Sequence, residues 1–187
     1  MSRSGPFFAF PAALALTAGL TLGACTTVPV TQAYVQVGAT PGLRLHVPLS
    51  ELMRGRVLAD PVTLAFAGGG IVSAELLSAE DIGFPLQMDV LPAYLLGMRG
   101  TEVFAGLADI QRHELDELRR MLLEELGGSI DSLQFETAEG RGYAGLGGSR
   151  SVLFLLVDAN PDVIMQVRFS GFAAETVERL FIRSLRK

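Results

Sequence analysis

The sequence predicts an α+β fold in which a largely antiparallel β-sheet is flanked by helices within a single domain. The run 152–157 is apolar without polar alternation, so a strand there needs cover on both faces. Residues 106–126 repeat leucine at helical spacing, which predicts an amphipathic helix. Segments 62–66 and 71–76 flank the glycines 68–70, a pattern typical of a β-hairpin. A sheet with at least one helical layer follows.

The elements before the hairpin are less regular. Residues 25–42 contain Pro, Thr and Gly without sustained periodicity, and we expect a lipidated N-terminus and tether with a loosely held strand at 34–37. Apolar and polar residues alternate over 43–47, which predicts a strand with His46 facing outward. Ser50 before Glu and Leu suggests a capped helical turn to about Arg56. The globular domain is therefore expected to span 43–187.

Between residues 81 and 106, glycines and prolines interrupt an apolar stretch, so we expect short helices joined by bends. Strands are predicted at 130–137 and 163–169, with a glycine-rich connection at 140–148 that contains a possible short strand. Ser170 is the expected cap of a last helix. One face of that helix comprises Val177, Leu180, Phe181, Ser184 and Leu185.

The C-terminal part carries a family resemblance. The predicted order is the long helix, three or four antiparallel strands and a terminal helix, and the residues that suggest a likeness are 150–158, 163–170 and 172–185. This order resembles the second half of PsbP-like domains, which are α/β/α sandwiches and include bacterial lipoproteins of the DcrB type. The resemblance covers under half of the mature chain, and the first half lacks the aromatic-rich opening strand of that family. Because its members share no common catalytic residues, the resemblance implies a scaffold and not an active site.

The N-terminus carries the most specific motif. Arg3 precedes the apolar stretch 7–22, and the run Leu22-Gly23-Ala24-Cys25 ends in the only cysteine of the chain. This layout resembles a bacterial lipoprotein signal peptide, residues 1–24, with its lipobox. The resemblance implies that Cys25 is lipidated and becomes the first mature residue. In lipoproteins of this kind, aspartate after the cysteine would favour retention in the inner membrane; Thr26 stands there, so the resemblance implies the periplasmic leaflet of an outer membrane and not the inner membrane.

Two other interpretations of this N-terminal segment fit less well. The apolar stretch 7–22 has 16 residues and is interrupted by Pro11, whereas a membrane-spanning helix needs roughly 20. A buried core helix is disfavoured because no amphipathic stripe is present and Pro6 adds a second break. We therefore expect export and a lipid anchor.

Composition excludes several classes of function. Removal of residues 1–24 from the 187 leaves 163, a length that suits one domain. The net charge of the whole chain is −5, and loss of Arg3 makes it −6, which is unfavourable for nucleic-acid binding. With Cys25 lipidated, no thiol remains for a disulfide, a nucleophile or a thiolate metal site.

Candidate catalytic patterns have simpler structural explanations. The letters of a phosphate-binding GxGxxG loop occur at 140–145, but such a loop precedes a helix and here a strand is predicted next. Asp109, His113 and Glu117 recur every four residues and could hold a metal, yet neighbouring arginines can pair with these acids. A glycosidase-like acid pair would come from Glu136, Glu139, Asp158 and Asp162, but no tryptophan platform accompanies it. We predict no catalytic residue, no metal and no cofactor.

One apolar segment allows two interpretations. The stretch 84–104 has too many large apolar residues for a single narrow helical stripe. They can wrap around the core, or some can form a groove for an acyl chain or a partner helix. The candidate residues are Phe84, Leu86, Met88, Leu91, Tyr94, Leu95, Met98 and Phe104.

The sequence thus predicts a lipid-anchored cell-envelope protein that acts as a non-enzymatic binding or accessory module. Its expected partners are the membrane, through the lipid, and an envelope protein. The alternative is a carrier of lipid or another apolar ligand that uses the segment 84–104.

Overall fold

The computed structural model describes the backbone of residues 32–37, 44–48, 52–57, 61–66 and 68–187. These residues form one α+β domain, as predicted, with an antiparallel sheet and helices beside it. The signal segment 1–24 and the expected lipidation residue Cys25 lie outside the described ranges.

Nine strands, one long helix and several short helices are present in the described part of the chain. The strands are β1 Gln32–Gln36, β2 Arg44–Pro48, β3 Leu52–Val57, β4 Val62–Phe66, β5 Ile71–Ser78, β6 Asp131–Glu136, β7 Gly140–Leu146, β8 Arg150–Val157 and β9 Asn160–Ser170. The helices are α1 Ala79–Ile82, α2 Leu91–Leu95, a 3₁₀ turn Thr101–Phe104, α3 Asp109–Glu125, and α4 Ala174–Val177, which continues as a π-helical turn Glu178–Ile182.

Seven strands form one sheet in the order β3-β4-β5-β9-β8-β7-β6, and every neighbouring pair is antiparallel. Strands β1 and β2 form a separate antiparallel pair. The predicted hairpin is confirmed as β4–β5: the amide of Phe66 donates to the carbonyl of Gly70, and Gly68 and Gly69 have φ of +87° and +88°. Positive φ is accessible to glycine at little cost, which explains the glycines of this turn.

The main sheet is covered on both faces. Phe154 and Ile164 pack against the helical segment between β5 and β6, where Tyr94 and Leu115 are buried. On the opposite face, Phe66 and Phe169 pack against Phe172 and Phe181 of the C-terminal region, and Leu45 and Val47 of β2 join the same core. Residues 151–157 are all buried, so the prediction that β8 is covered on both sides is confirmed.

Two local predictions were wrong, and the one for residues 140–148 was only partly right. Residues 52–56, expected in a helical turn that starts at Ser50, belong to the strand β3, because pairing with β4 outweighs a weak local helix signal. The glycine-rich connection at 140–148 is mostly the seven-residue strand β7, paired on both sides. Ser170 is the last residue of β9 and caps nothing; the final helix begins at Ala174.

Other expectations were close. The helix predicted over 106–126 is α3, which begins at Asp109, and positive φ values at Gly127 and Gly128 end it. The strand β1 covers 32–36 and includes most of the strand expected at 34–37. Val37, which follows β1, is buried in the core, so part of the segment assigned to the tether belongs to the folded domain.

Candidate ligand-binding cleft

A cleft of about 290 Å³ lies between the small β1–β2 sheet and one end of the main sheet. Its walls come from three parts of the chain that are far apart in sequence: the first two strands, the β6–β7 turn with the end of β8, and the C-terminus. The lining residues are Tyr34, Arg44, His46, Thr137, Ala138, Glu139, Leu155, Leu156, Val157, Ser184 and Leu185.

Side chains along β2 alternate between the core and the cleft, and the outward ones form one wall. Leu45 and Val47 enter the core with exposed fractions of 0% and 1%, so Arg44 and His46 lie on the opposite face of the strand and line the cleft. Tyr34 is the register partner of His46 on β1. Their ring centroids are 4.3 Å apart at an interplanar angle of 76°, an edge-to-face arrangement. This wall therefore presents an aromatic pair beside a guanidinium group.

Backbone hydrogen bonds hold the opposite wall. The amide of Thr137 donates to the carbonyl of Gly140 at 2.9 Å, which closes the β6–β7 turn. The amide of Asp158 donates to the carbonyl of Glu139 at 3.0 Å and ties that turn to the end of β8.

The C-terminus completes this wall. The amide of Lys187 donates to the carbonyl of Glu136 at 3.1 Å, and Arg186 forms a β-bridge with Thr137. These contacts place Ser184 and Leu185 against the cleft.

The electrostatics of the cleft are mixed. Burial lowers the pKa of His46 below its ordinary value, so its ring is neutral at pH 7. Arg44 and Glu139 take part in none of the ion pairs formed among the described residues. The hydroxyl of Ser184 donates to the carbonyl of Phe181 at 3.2 Å and so is not paired with His46. The arrangement can bind a ligand with both charges and an apolar part.

The apolar segment 84–104 belongs to the core. Six of its eight candidate residues are buried, with Tyr94 at 0% and Met88 and Leu91 at 1% exposure, whereas Leu86 is partly buried and Met98 is 38% exposed. None of the eight lines this cleft or a second one of about 230 Å³ beside Ile130 and Gly147. Of the two interpretations of this segment, the structure has the one in which it wraps around the core.

Tyr94 links α2 to α3 within this core through contacts of its side chain. Its hydroxyl donates to a carboxylate oxygen of Asp116 at 2.5 Å, and the guanidinium of Arg119 lies 5.3 Å from the ring centroid. Burial, together with the hydrogen bond to Asp116, raises the pKa of Tyr94 to about 12. These contacts are structural and lie away from the cleft.

The other candidate motifs are accounted for by local structure. On α3, Asp109 pairs with Arg112, and Glu117 pairs with Arg120. No group of three metal-binding side chains occurs within the described ranges. The GxGxxG letters at 140–145 fall inside β7, where the ring of Phe135 lies over Gly142.

Sequence reasoning did not select Tyr34, Arg44 or His46 as site residues, although the alternation over 43–47 correctly placed His46 on the outer face. Glu139 was considered only as a member of an acid pair. The missing information was tertiary, because about 90 residues separate His46 from Glu139.

Comparisons with known proteins found no match to a family model, a curated protein or a solved structure. Within the portion of the chain that is described, no helix is both long enough and apolar enough to cross a bilayer.

Proposed function

We propose that this protein is a lipid-anchored binding module of the cell envelope, without catalytic activity, and that the cleft between the β1–β2 sheet and the main sheet is its binding site. The observation that carries the binding function is the convergence of Arg44, His46 and Glu139 with apolar side chains in this cleft. The anchor rests on the lipobox-like run that ends at Cys25.

Acyl chains at Cys25 would hold the domain on a membrane without any contact from the protein itself. Each buried methylene contributes about 0.8 kcal/mol, so two or more chains give durable attachment. Thr26 after the cysteine favours the periplasmic leaflet of an outer membrane.

The cleft suits binding because Arg44 and Glu139 in its lining are exposed and form no ion pair with each other. A ligand site normally combines apolar walls with a few placed polar groups, and this cleft has Leu155 and Leu185 beside Arg44 and Glu139. A hydrolytic role has less support, since the Ser184 hydroxyl is bonded to a backbone carbonyl.

The anchor is tested by intact-mass measurement of the protein isolated from native membranes. We expect a chain that starts at Cys25 and carries a diacylglyceryl group, and we expect Cys25→Ser to keep residues 1–24. A full-length chain with a free thiol would overturn the assignment to the envelope.

The binding function is tested by native mass spectrometry of the acylated protein released from maltoside micelles. Ser184→Trp fills the cleft, whereas Ser149→Trp places the same side chain on an exposed residue outside it. We expect a co-purifying small molecule on the wild type and on Ser149→Trp, and its loss from Ser184→Trp. Equal retention by both variants, or no bound molecule at all, would contradict a binding role for the cleft.

A further inference from the structure

The charges of the cleft restrict the ligand. Arg44 and Glu139 line the same cleft, yet they form no ion pair with each other. A ligand with a single charge would form an ion pair with only one of these two residues. The other residue would stay unpaired and would carry the same charge as the ligand. A ligand that carries one anionic and one cationic group can pair with both, and such charge-assisted contacts are the stronger hydrogen bonds.

The aromatic pair favours an ammonium as the cationic group. Cations are attracted to the faces of aromatic rings within about 6 Å of the ring centroid. Tyr34 is 63% exposed and packs edge-to-face on His46, so the pair offers an accessible ring in the wall of the cleft. Because His46 is neutral at pH 7, it does not repel a cation.

The anionic group and the apolar part are set by the remaining lining. The guanidinium group of an arginine binds phosphate through two parallel hydrogen bonds, whereas the ammonium group of a lysine cannot. Leu155, Val157 and Leu185 provide an apolar surface in the same cleft. The linker between the two charges must be short, since the whole cleft has a volume of only about 290 Å³.

The position of the cleft relative to the anchor favours a membrane component, an argument that rests on the proposed lipidation. Only residues 26–31 separate Cys25 from β1, and a fully extended chain of this length reaches at most about 25 Å. Strand β1 contributes Tyr34 to the cleft. Anchoring would therefore keep the cleft close to phospholipid headgroups, where their effective concentration is high.

We propose that the cleft binds a phosphoethanolamine group, with the phosphate at Arg44 and the ammonium between Glu139 and the Tyr34–His46 ring pair. The group can belong to a phospholipid of the bilayer or to a free glycerophosphoethanolamine, because both present the same two charges.

The soluble source is tested by calorimetric titration of the acylated protein in maltoside micelles. The probe is glycerophosphoethanolamine, and the comparison is glycerophosphoglycerol, a phosphodiester with the same phosphate charge that lacks the ammonium. We expect the probe to bind at least about tenfold more tightly than glycerophosphoglycerol. Arg44→Gln and Glu139→Gln should each weaken the binding of the probe by about tenfold or more.

Binding of a phospholipid from the bilayer is tested by native mass spectrometry, which identifies the phospholipids that remain bound to the same protein. We expect phosphatidylethanolamine to be enriched over its share of the membrane, and we expect Arg44→Gln to abolish the enrichment. Binding in either arm supports the proposal, and the arm that responds identifies the source.

Matched controls keep the test specific. Arg99→Gln and Glu175→Gln remove the same charges from exposed residues outside both clefts, and they should bind like the wild type. Absence of binding in both arms, or equal loss in control and cleft variants, would overturn the proposal. A different molecule that is retained in the cleft and lost from Ser184→Trp would overturn this inference and leave the proposed binding function standing.

Discussion

The substitution Gly142→Ala tests how β6 and β7 pack. Gly142 lies directly opposite Phe135 in the register of these strands. A Cβ at residue 142 would come within 2.3 Å of the ring's Cζ, with both Cε atoms at 2.9 Å or less. Phe135 is only 8% exposed, and the guanidinium of Arg186 lies 5.5 Å from its ring centroid. The added methyl group must therefore displace a buried ring that also packs against Arg186.

The expected cost follows from two opposing effects. Overpacking of this kind destabilises by about 1–3 kcal/mol. Replacement of glycine by alanine restricts the unfolded chain and recovers about 0.4–1 kcal/mol. We expect Gly142→Ala to lower the free energy of unfolding by about 1–2 kcal/mol, which corresponds to a decrease in Tm of roughly 2–8 °C for a domain of this size.

Urea and thermal unfolding followed by far-ultraviolet circular dichroism measure this cost. Gly148→Ala is the control, because a Cβ at that residue meets no atom within 4 Å, and it should change stability by less than about 0.5 kcal/mol. In a Phe135→Leu background, Gly142→Ala should cost at least about 1 kcal/mol less, since the clashing ring is gone. Equal stability of the two alanine variants, or equal cost in both backgrounds, would refute the reasoning.

The remaining predictions concern two titratable groups, His46 and Tyr94. Burial lowers the folded-state pKa of His46, so the unfolded chain takes up the proton first and stability falls as the pH drops below about 6.5. The urea midpoint should therefore decrease less between pH 7.5 and pH 5.5 for His46→Asn than for the wild type. An equal decrease in both proteins would contradict this. Tyr94→Phe removes the hydrogen bond to Asp116 and should cost about 1–2 kcal/mol in the same assay at pH 7. Because the pKa of Tyr94 is raised to about 12, the unfolded chain ionises first above about pH 10 and the wild type then loses stability. Tyr94→Phe should lack this loss. Parallel alkaline denaturation curves of the two proteins would contradict this prediction.

Local sequence patterns were sufficient to predict β8 and α3, because the burial of each element is visible in the order of its own apolar and polar residues. The run 152–157 lacks polar residues because both faces of β8 are covered, and the leucine spacing of 106–126 follows the buried side of α3. Leu118 shows the limit of that stripe, because it is 36% exposed although it shares the spacing. Periodicity gives the direction of a side chain, whereas the extent of the neighbouring layer determines its burial.

Elements that depend on a neighbour were missed. The residues of β3 carry a weak helix signal, and they form a strand because β4 offers an edge for pairing. The glycines of β7 are typical of a loop until the ring of Phe135 and the carbonyl of Leu156 are seen to fill the space where a Cβ would be. Neither partner can be identified from the residues of the strand itself, since a strand is stabilised by the backbone and side chains of the strands that pair with it.

The sequence alone determined the α+β class, the helix and hairpin that build it, and the prediction of a lipid anchor at Cys25, because each of these depends on residues within one short window. Only the tertiary structure decided that the segment 84–104 is core and that the cleft has Arg44 and Glu139 in its lining. The physical reason is that a cleft is the space left between layers, and its lining depends on how distant strands pair and pack.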